Sequence, residues 1–315
     1  MDDTTQIFAP DTAGLRNAAN LLSAGKLVAF PTETVYGLGA DARNGTAVAA
    51  IYEAKGRPSF NPLIVHVSDA QTARRYGKWS DITEVLATAF WPGPLTLVLP
   101  LAAGHGLSSL VTAGMPNVAI RVPAHPTARA LLSAFDGPIA APSANPSGRI
   151  SPTTAAHVIS GLDGRIAGIV DGGACPVGLE STIVGCTDGN ASLLRAGGLP
   201  IEALEQAIGA PLSKLQGTEI TAPGQLTSHY APAGQVRLNA SVAQGDEVLL
   251  GFGPMVCDVN LSETGDLQQA ASRLFDCLHQ LDALARPIAV APIPERGLGV
   301  AINDRLRRAA APRDS

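Results

Sequence analysis

The densest run of chemically capable side chains in this sequence is Phe30-Pro31-Thr32-Glu33-Thr34-Val35-Tyr36-Gly37-Leu38-Gly39-Ala40-Asp41. It follows the apolar run Leu27-Val28-Ala29-Phe30, which reads as a buried strand. Pro31 stops that strand, because proline has no N–H to give the ladder. Three hydroxyls and one carboxylate then crowd between Thr32 and Tyr36, and Gly37 and Gly39 let the backbone bend or approach a ligand closely. Open α/β sheets place ligands at polar strand ends of this kind. Taken alone, the run is equally an ordinary strand-to-helix turn with capping residues.

Other polar residues stand at comparable places. Lys55 and Arg57 flank Gly56 at an expected helix end. Favourable pairing with the helix dipole accounts for Lys55 by itself. Two cations on a short turn beside a polar loop suit a polyphosphate, which Arg grips with a fork and Lys meets as a point charge. There is no GxxxxGK[ST] run, so this is not a P-loop. His66 interrupts an apolar strand, where a lone histidine is more often a hydrogen-bonded core residue. Arg121 puts a charge into another apolar strand and needs a partner there, either a structural ion pair or a substrate carboxylate. Ser143-Ala144-Asn145-Pro146-Ser147-Gly148-Arg149-Ile150-Ser151 is a second polar strand-end loop. It is a turn by its chemistry, or a wall of a nucleotide site built from neutral donors. The chain shows no Ser-His-Asp order, no HExxH and no paired cysteines. Nothing resembles an activated nucleophile. The set suits a reaction that needs positioning and charge neutralisation, such as phosphoryl or nucleotidyl transfer with a divalent metal adding positive charge.

The elements that must position these residues follow from periodicity. Helices are expected over residues 10–24, 46–54, 69–76, 81–90, 126–135 and 200–208, and strands over 27–30, 62–67, 95–99, 118–122, 138–142, 166–170, 182–184 and 192–195. Ser151-Pro152 is expected to start a helix, with serine as N-cap and proline at N1. Residues 211–235 fade into Ser, Thr, Gly, Pro and Ala and read as a linker that contains Thr227-Ser228-His229-Tyr230-Ala231-Pro232. Beyond it a smaller α/β unit is expected, with strands near 247–252 and 288–293 and helices near 265–285 and 297–310. The divisions are a catalytic domain over 1–210, a linker or lid over 211–235 and a small domain over 236–315.

Length and charge bound the function. A chain of 315 residues is comfortable for two domains. A formal net charge of −5 argues against a broad electrostatic grip on nucleic acid. Cys175, Cys186, Cys257 and Cys277 make no CxxC pair and lack histidines at zinc-finger spacing. No secretory signal opens the chain, and no apolar run is long enough to span a bilayer, so a reducing cytoplasm is expected.

The signature run is similar to that of the YrdC-like threonylcarbamoyl-AMP synthases. The likeness continues through Lys55-Gly56-Arg57-Pro58, Asn61-Pro62-Leu63-Ile64-Val65-His66, Trp91-Pro92-Gly93-Pro94-Leu95-Thr96 and Ala119-Ile120-Arg121-Val122-Pro123. It runs on through Ala141-Pro142-Ser143-Ala144-Asn145, Gly178-Leu179-Glu180-Ser181-Thr182-Ile183 and Leu194-Arg195-Ala196-Gly197. Each motif is weak, but together, in family order, they are specific. The tail after residue 235 makes the chain resemble the long, two-domain form.

The resemblance implies an α/β fold: a YrdC-like twisted open sheet with flanking helices, followed by a smaller Rossmann-like domain. It implies that L-threonine, bicarbonate and ATP, with Mg2+ accompanying the ATP, give threonylcarbamoyl-AMP and pyrophosphate. That product serves threonylcarbamoyl modification of the adenosine next to the anticodon in tRNA, through a downstream tRNA threonylcarbamoyl transferase as partner. By the same resemblance Lys55, Arg57 and Asn61 hold the triphosphate, with Lys55 and Arg57 as the catalytic pair. Asn117, Ser143, Ser151, Arg195 and Tyr230 surround the nucleotide, and Asn145 completes the Ser143-x-Asn145 motif there. Thr34, His66, Arg121, Ser181 and the backbone of Ala141 surround threonine. His229 and Tyr230 fold over the nucleotide. Two other classes compete: an RNA-binding module of the same fold, opposed by the acidic balance and the lack of aromatic–basic interleaving, and another carbamoyl-adenylate-forming enzyme, as in hydrogenase maturation, opposed by the missing companion domains.

Overall fold

The computed structural model describes residues 4–57, 61–187, 189–214 and 229–312. Pro58, the Thr227-Ser228 pair and most of the expected linker lie outside the described residues. In chain order the first domain comprises β1 (Gln6–Phe8), α1 (Thr12–Ser23), β2 (Val28–Phe30), β3 (Gly37–Asp41), α2 (Gly45–Lys55), β4 (Ile64–His66), α3 (Ala70–Ala73), α4 (Asp81–Phe90), β5 (Leu95–Pro100) and α5 (Ser109–Thr112). It continues with β6 (Asn117–Arg121), α6 (Pro126–Phe135), β7 (Ile139–Ala140), α7 (Ala155–Leu162), β8 (Gly168–Val170), β9 (Thr182–Thr187), β10 (Asn190–Arg195), α8 (Ile201–Ile208) and β11 (Ser213–Lys214). The second domain holds β12 (Val236–Arg237), β13 (Val248–Gly251), β14 (Val259–Asn260), α9 (Leu267–Asp282), β15 (Ile288–Val290) and α10 (Leu298–Ala309).

The helices begin and end where the side chains dictate. Asp11 caps α1 by accepting from the Gly14 N–H, and Leu15, Ala18, Ala19 and Leu22 form its buried stripe. Asn44 caps α2, and Gly56 ends it in the left-handed conformation (φ 58°). Ser151-Pro152 does not start a helix. The cap of α7 is Thr154, which accepts from the His157 N–H, while the Ser151 hydroxyl is turned inward to Glu180. A buried carboxylate is a stronger acceptor for that hydroxyl than a helix end is a donor.

The strands of the first domain form one mixed sheet in the order β1-β8-β2-β3-β7-β4-β6-β5-β9-β10-β11. Successive strand residues face opposite sides. Val28, Phe30, Ile139 and Ala141 therefore pack with α1 and α6, while Ala29 and Ala140 join the main core on the other face. The signature run is not a strand-to-helix turn. Residues 31–36 link β2 to the antiparallel β3, with Phe30 opposite Gly37 and Val28 opposite Gly39. The two glycines make room for packing rather than for a bend. A Cβ on Gly39 would lie 2.9 Å from both Ile139 Cγ2 and Phe30 Cε1.

The second domain is a four-stranded, wholly parallel sheet in the order β12-β15-β13-β14, with α9 and α10 packed on each other. Its core is continuous with Val35, Ile150, Leu179 and Tyr230, so this domain sits against the first one. No helix among the described residues is long and apolar enough to cross a membrane. Cys175, Cys186 and Cys277 are buried, Cys257 is half-buried, and all four are free thiols.

Candidate active site

Parallel pairing of β4 with β6 sets Ile64 beside Ala119 and His66 beside Arg121. Residues two apart on a strand share a face, so His66 and Arg121 rise from the side that carries the small apolar cluster of Ile64, Val98, Ala119 and Ile183. They form the floor of a cavity. Its walls are the residue 31–36 connection, the end of α2, the loop after β7, Glu180-Ser181, the end of β10, and His229-Tyr230 from the segment before β12.

One wall is internally paired. Arg121 Nη2 lies 2.7 Å from Glu33 Oε1, with both side chains almost fully buried. Its Nη1 donates to Thr34 Oγ1 at 2.8 Å and its Nε to the Gly93 carbonyl at 3.2 Å. Glu33 Oε2 accepts from the Ala124 N–H at 3.1 Å. The Thr32 hydroxyl donates to the Val35 carbonyl at 2.7 Å, so the 2.7 Å bond between the two threonine hydroxyls must be donated by Thr34. The anion that an in-strand arginine requires is thus supplied from within by Glu33. Ser181 Oγ shares a 2.7 Å hydrogen bond with Thr96 Oγ1. His66 is held neutral: burial, and then Arg121, push its pKa down to about 3. Its Nδ1 is buried with no partner among the described residues.

The opposite wall gathers cations. Lys55, 4% exposed, donates through Nζ to the Ser143 carbonyl at 2.5 Å and to the Asn145 carbonyl. Its own carbonyl accepts from the Ser147 N–H, so it clips α2 to the loop after β7. Burial and then Arg57 hold its amine well below the usual lysine range. Arg57 donates to the Pro62 carbonyl at 3.1 Å, and burial, with Arg195 adding to it, pushes its pKa down to about 10. Among the described residues, neither Lys55 nor Arg57 has a carboxylate at ion-pair distance. Arg195 donates from Nη2 to the Ser181 carbonyl at 2.9 Å and to Ser181 Oγ at 3.3 Å, joining the two walls. The Asn61 Oδ1 is buried without a hydrogen-bond partner among the described residues.

The cover is built from both domains. Tyr230 is 1% exposed and adopts a left-handed backbone (φ 61°). That conformation costs a non-glycine residue about 1 kcal/mol or more and persists only where the surroundings enforce it. Here the next N–H, of Ala231, donates to the Gly148 carbonyl at 2.8 Å, and the ring lies between Phe275 and Arg305. The described end of the expected linker is therefore docked.

The structure brings Thr34, Lys55, Arg57, Asn61, His66, Arg121, Ala141, Ser143, Ser181, Arg195 and Tyr230 to one cavity. Asn145 and Ser151 stand one contact behind it, through the Lys55 and Glu180 bonds. Asn117 is not among the residues that line this cavity. It begins β6, paired with Pro100, and Arg121 ends that strand. Four residues of strand separate the two ends by roughly 13 Å. Glu180 lines the cavity and was not singled out from the sequence, although it is the sole charged residue between Asp171 and Asp188. Thr32 and Ser147 were likewise passed over; both are ordinary turn residues by type.

The carboxylates at the cavity do not suit a protein-held metal. Glu33 faces Arg121 and Glu180 faces Arg305, and the described residues contain no group of three or more His, Cys, Asp or Glu that could hold one.

Comparison with known proteins places this geometry. Residues 20–197 match the family described as "Telomere recombination", which groups Sua5, YciO and YrdC proteins, and residues 199–311 match "Threonylcarbamoyl-AMP synthase, C-terminal domain". A threonylcarbamoyl-AMP synthase of Bacillus subtilis is 41% identical, covering 99% of this chain and 97% of the relative. One from Pyrococcus abyssi is 40% identical over 94% of each. The crystal structure of P. abyssi Sua5 complexed with L-threonine superposes with a TM-score of 0.89 at 38% identity, covering 97% of this chain and 98% of that one. The chain belongs to the two-domain threonylcarbamoyl-AMP synthase family.

Proposed function

We propose that this family member is a nucleotidyltransferase that converts L-threonine, bicarbonate and ATP into threonylcarbamoyl-AMP and pyrophosphate. The observation that carries this reading is the pair of walls at one cavity: on one side Lys55 and Arg57, which have no carboxylate at ion-pair distance among the described residues, and on the other a polar pocket paired within itself. The threonine amine and bicarbonate condense to a carbamate with loss of water. A carbamate oxygen attacks the α-phosphorus of ATP, the bond to the bridging oxygen breaks, and pyrophosphate leaves with the electron pair. The chain supplies position and charge. Lys55 and Arg57 face the negative charge that grows on the leaving pyrophosphate, and Asn61 and Ser143 orient the triphosphate. Arg121, held in place by Glu33, lines the threonine side of the cavity with Thr34 and Ser181, and Ala141 contributes its backbone. Neutral His66 accepts a hydrogen bond without competing for the charge. Arg195 and Tyr230 enclose the nucleotide, and closure keeps water from a mixed anhydride.

Mg2+ enters this reading as part of the ATP substrate, neutralising phosphate charge, since the cavity carboxylates are already engaged. The product is passed on, in the cytoplasm, to a transferase that modifies the adenosine beside the tRNA anticodon. The test is pyrophosphate release by the purified chain with ATP and Mg2+. Release that requires both threonine and bicarbonate supports the assignment. Release indifferent to threonine, or driven by carbamoyl phosphate, overturns it.

A further inference from the structure

Arg305 lies on α10, outside the domain that carries the cavity, yet it is fully buried. Its Nε donates to Glu180 Oε2 at 3.0 Å, and its Nη1 donates to the Ala196 carbonyl at 2.6 Å and to Asp304 Oδ2 at 2.9 Å. Its guanidinium stands 5.5 Å from the centre of the Tyr230 ring. The other oxygen of Glu180 accepts from the Ser151 hydroxyl at 2.6 Å, and Ser151 is itself fully buried. A continuous path thus runs from α10 through Glu180 to Ser151, behind the nucleotide side of the cavity. A guanidinium fixed by two oxygens of its own surroundings is a rigid donor.

We propose that Arg305 is a positioning residue for nucleotide binding: it holds the Glu180 carboxylate so that the opposite oxygen fixes the Ser151 hydroxyl, which makes a competent nucleotide wall depend on the docked C-terminal domain. This rests on the functional reading above, in which Ser151 belongs to the nucleotide side. The charges around Glu180 agree with it. Burial pushes the Glu180 carboxyl up, but Arg305, then Arg195 and the Ser151 hydrogen bond, bring it below its ordinary value. The charged and titratable groups facing it are Arg305 from α10, Arg195 from β10, and His229 and Tyr230 from the segment before β12, while Asp304 is bonded to Arg305. His279 of α9 meets the Ser151 carbonyl at 3.2 Å. Without Arg305 the carboxyl loses the largest influence that keeps it ionised against burial, and Glu180 loses the donor that fixes its second oxygen.

The experiment measures KM for ATP and for threonine from pH 6 to 9 in the full chain and in Arg305→Gln, Arg305→Lys, Glu180→Gln and the Arg305→Gln/Glu180→Gln double variant. For Arg305→Gln the ATP KM rises about tenfold or more, and more at the acid end of that range than at the alkaline end, while the threonine KM stays within about twofold. Glu180→Gln shows the ATP defect at every pH, and the double variant is no worse than Glu180→Gln alone, because the two residues act as one unit. Arg305→Lys keeps a cation and the flat wild-type profile. A pH-independent loss that falls equally on ATP and threonine, or one that adds to Glu180→Gln, overturns the proposal and leaves Arg305 an interdomain tie. If Arg305→Gln does not fold, an ATP-selective defect in Glu180→Gln with a flat profile in Arg305→Lys upholds it, and an unselective one overturns it. If the wild type releases no pyrophosphate with threonine and bicarbonate, the functional reading has failed, and equilibrium binding of ATP by the same proteins decides on Arg305.

Discussion

The two walls of the cavity handle buried charge in opposite ways. On the Arg121 wall each charge has its complement in place: Glu33 answers Arg121, and the hydroxyls answer one another. On the Lys55–Arg57 wall Lys55 and Arg57 donate to backbone carbonyls, neither has a carboxylate at ion-pair distance among the described residues, and each sits beside another cation. A buried ion pair is costly to break from one side, so the first wall is set rigidly before any ligand arrives. Uncompensated cations destabilise the empty protein and are relieved by an anion, so the second wall is complete only when a polyphosphate is bound. The difference shows which wall is a preformed mould and which waits for charge.

The largest expected effect breaks the preformed wall. Arg121→Met leaves Glu33 buried without its cation and should lower unfolding free energy by about 3–5 kcal/mol, with Glu33→Gln restoring part of the loss. Chemical denaturation of both variants and the double variant checks this. On the other wall, Arg57→Met should cost about 2.7–4 kcal/mol of transition-state stabilisation, a fall in pyrophosphate release of roughly a hundred- to a thousandfold. A fall of only a few-fold would mean that Arg57 is not aimed at the developing charge.

Two smaller effects sharpen the contrast through pH. His66 is pushed from its ordinary value down to about 3, so the folded protein binds fewer protons there than the unfolded chain. Its contribution to stability is complete above the unfolded value and is lost as pH falls from about 6.5 toward 3, at most about 1.4 kcal/mol per pH unit. His66→Gln should flatten the acid side of the stability profile by that slope, without adding an acid limb to activity between pH 6 and 8. Lys55 has its amine held low in the empty protein, and a bound triphosphate favours its charged form. ATP binding should therefore take up a fraction of a proton, and affinity should weaken as pH rises. Calorimetry in two buffers of different ionisation enthalpy measures the uptake, and Arg57→Met should reduce it.

Much of this was legible in the sequence, because polar residues inside apolar strands are conspicuous. His66 and Arg121 stood out that way, and the register of β4 with β6 sets them side by side. The Lys-Gly-Arg turn was legible from its left-handed glycine. What could not be read was the partner of each charge. Glu33 and Arg121 are far apart in sequence, and local pattern could not distinguish an internal carboxylate from a bound one. Ser151 was misread as a helix cap because Ser-Pro fits that role, while its true acceptor, Glu180, comes from a distant loop. Asn117, placed beside the nucleotide by resemblance alone, begins the strand that Arg121 ends. Arg305 stands near Arg307 and Arg308 on one helix, but it falls on the buried stripe with Ala301, Ile302, Leu306 and Ala309; what local pattern could not show was its partner, Glu180, on a distant loop.

The central claim is that the Lys55–Arg57 wall is under charge strain until a polyphosphate binds, and thermal unfolding of Arg57→Met with and without ATP tests it most directly. The account predicts that the empty variant melts at or above the wild-type temperature and that the upward shift caused by ATP is lost. An empty variant that melts well below wild type, yet still gains the full ATP shift, would contradict it.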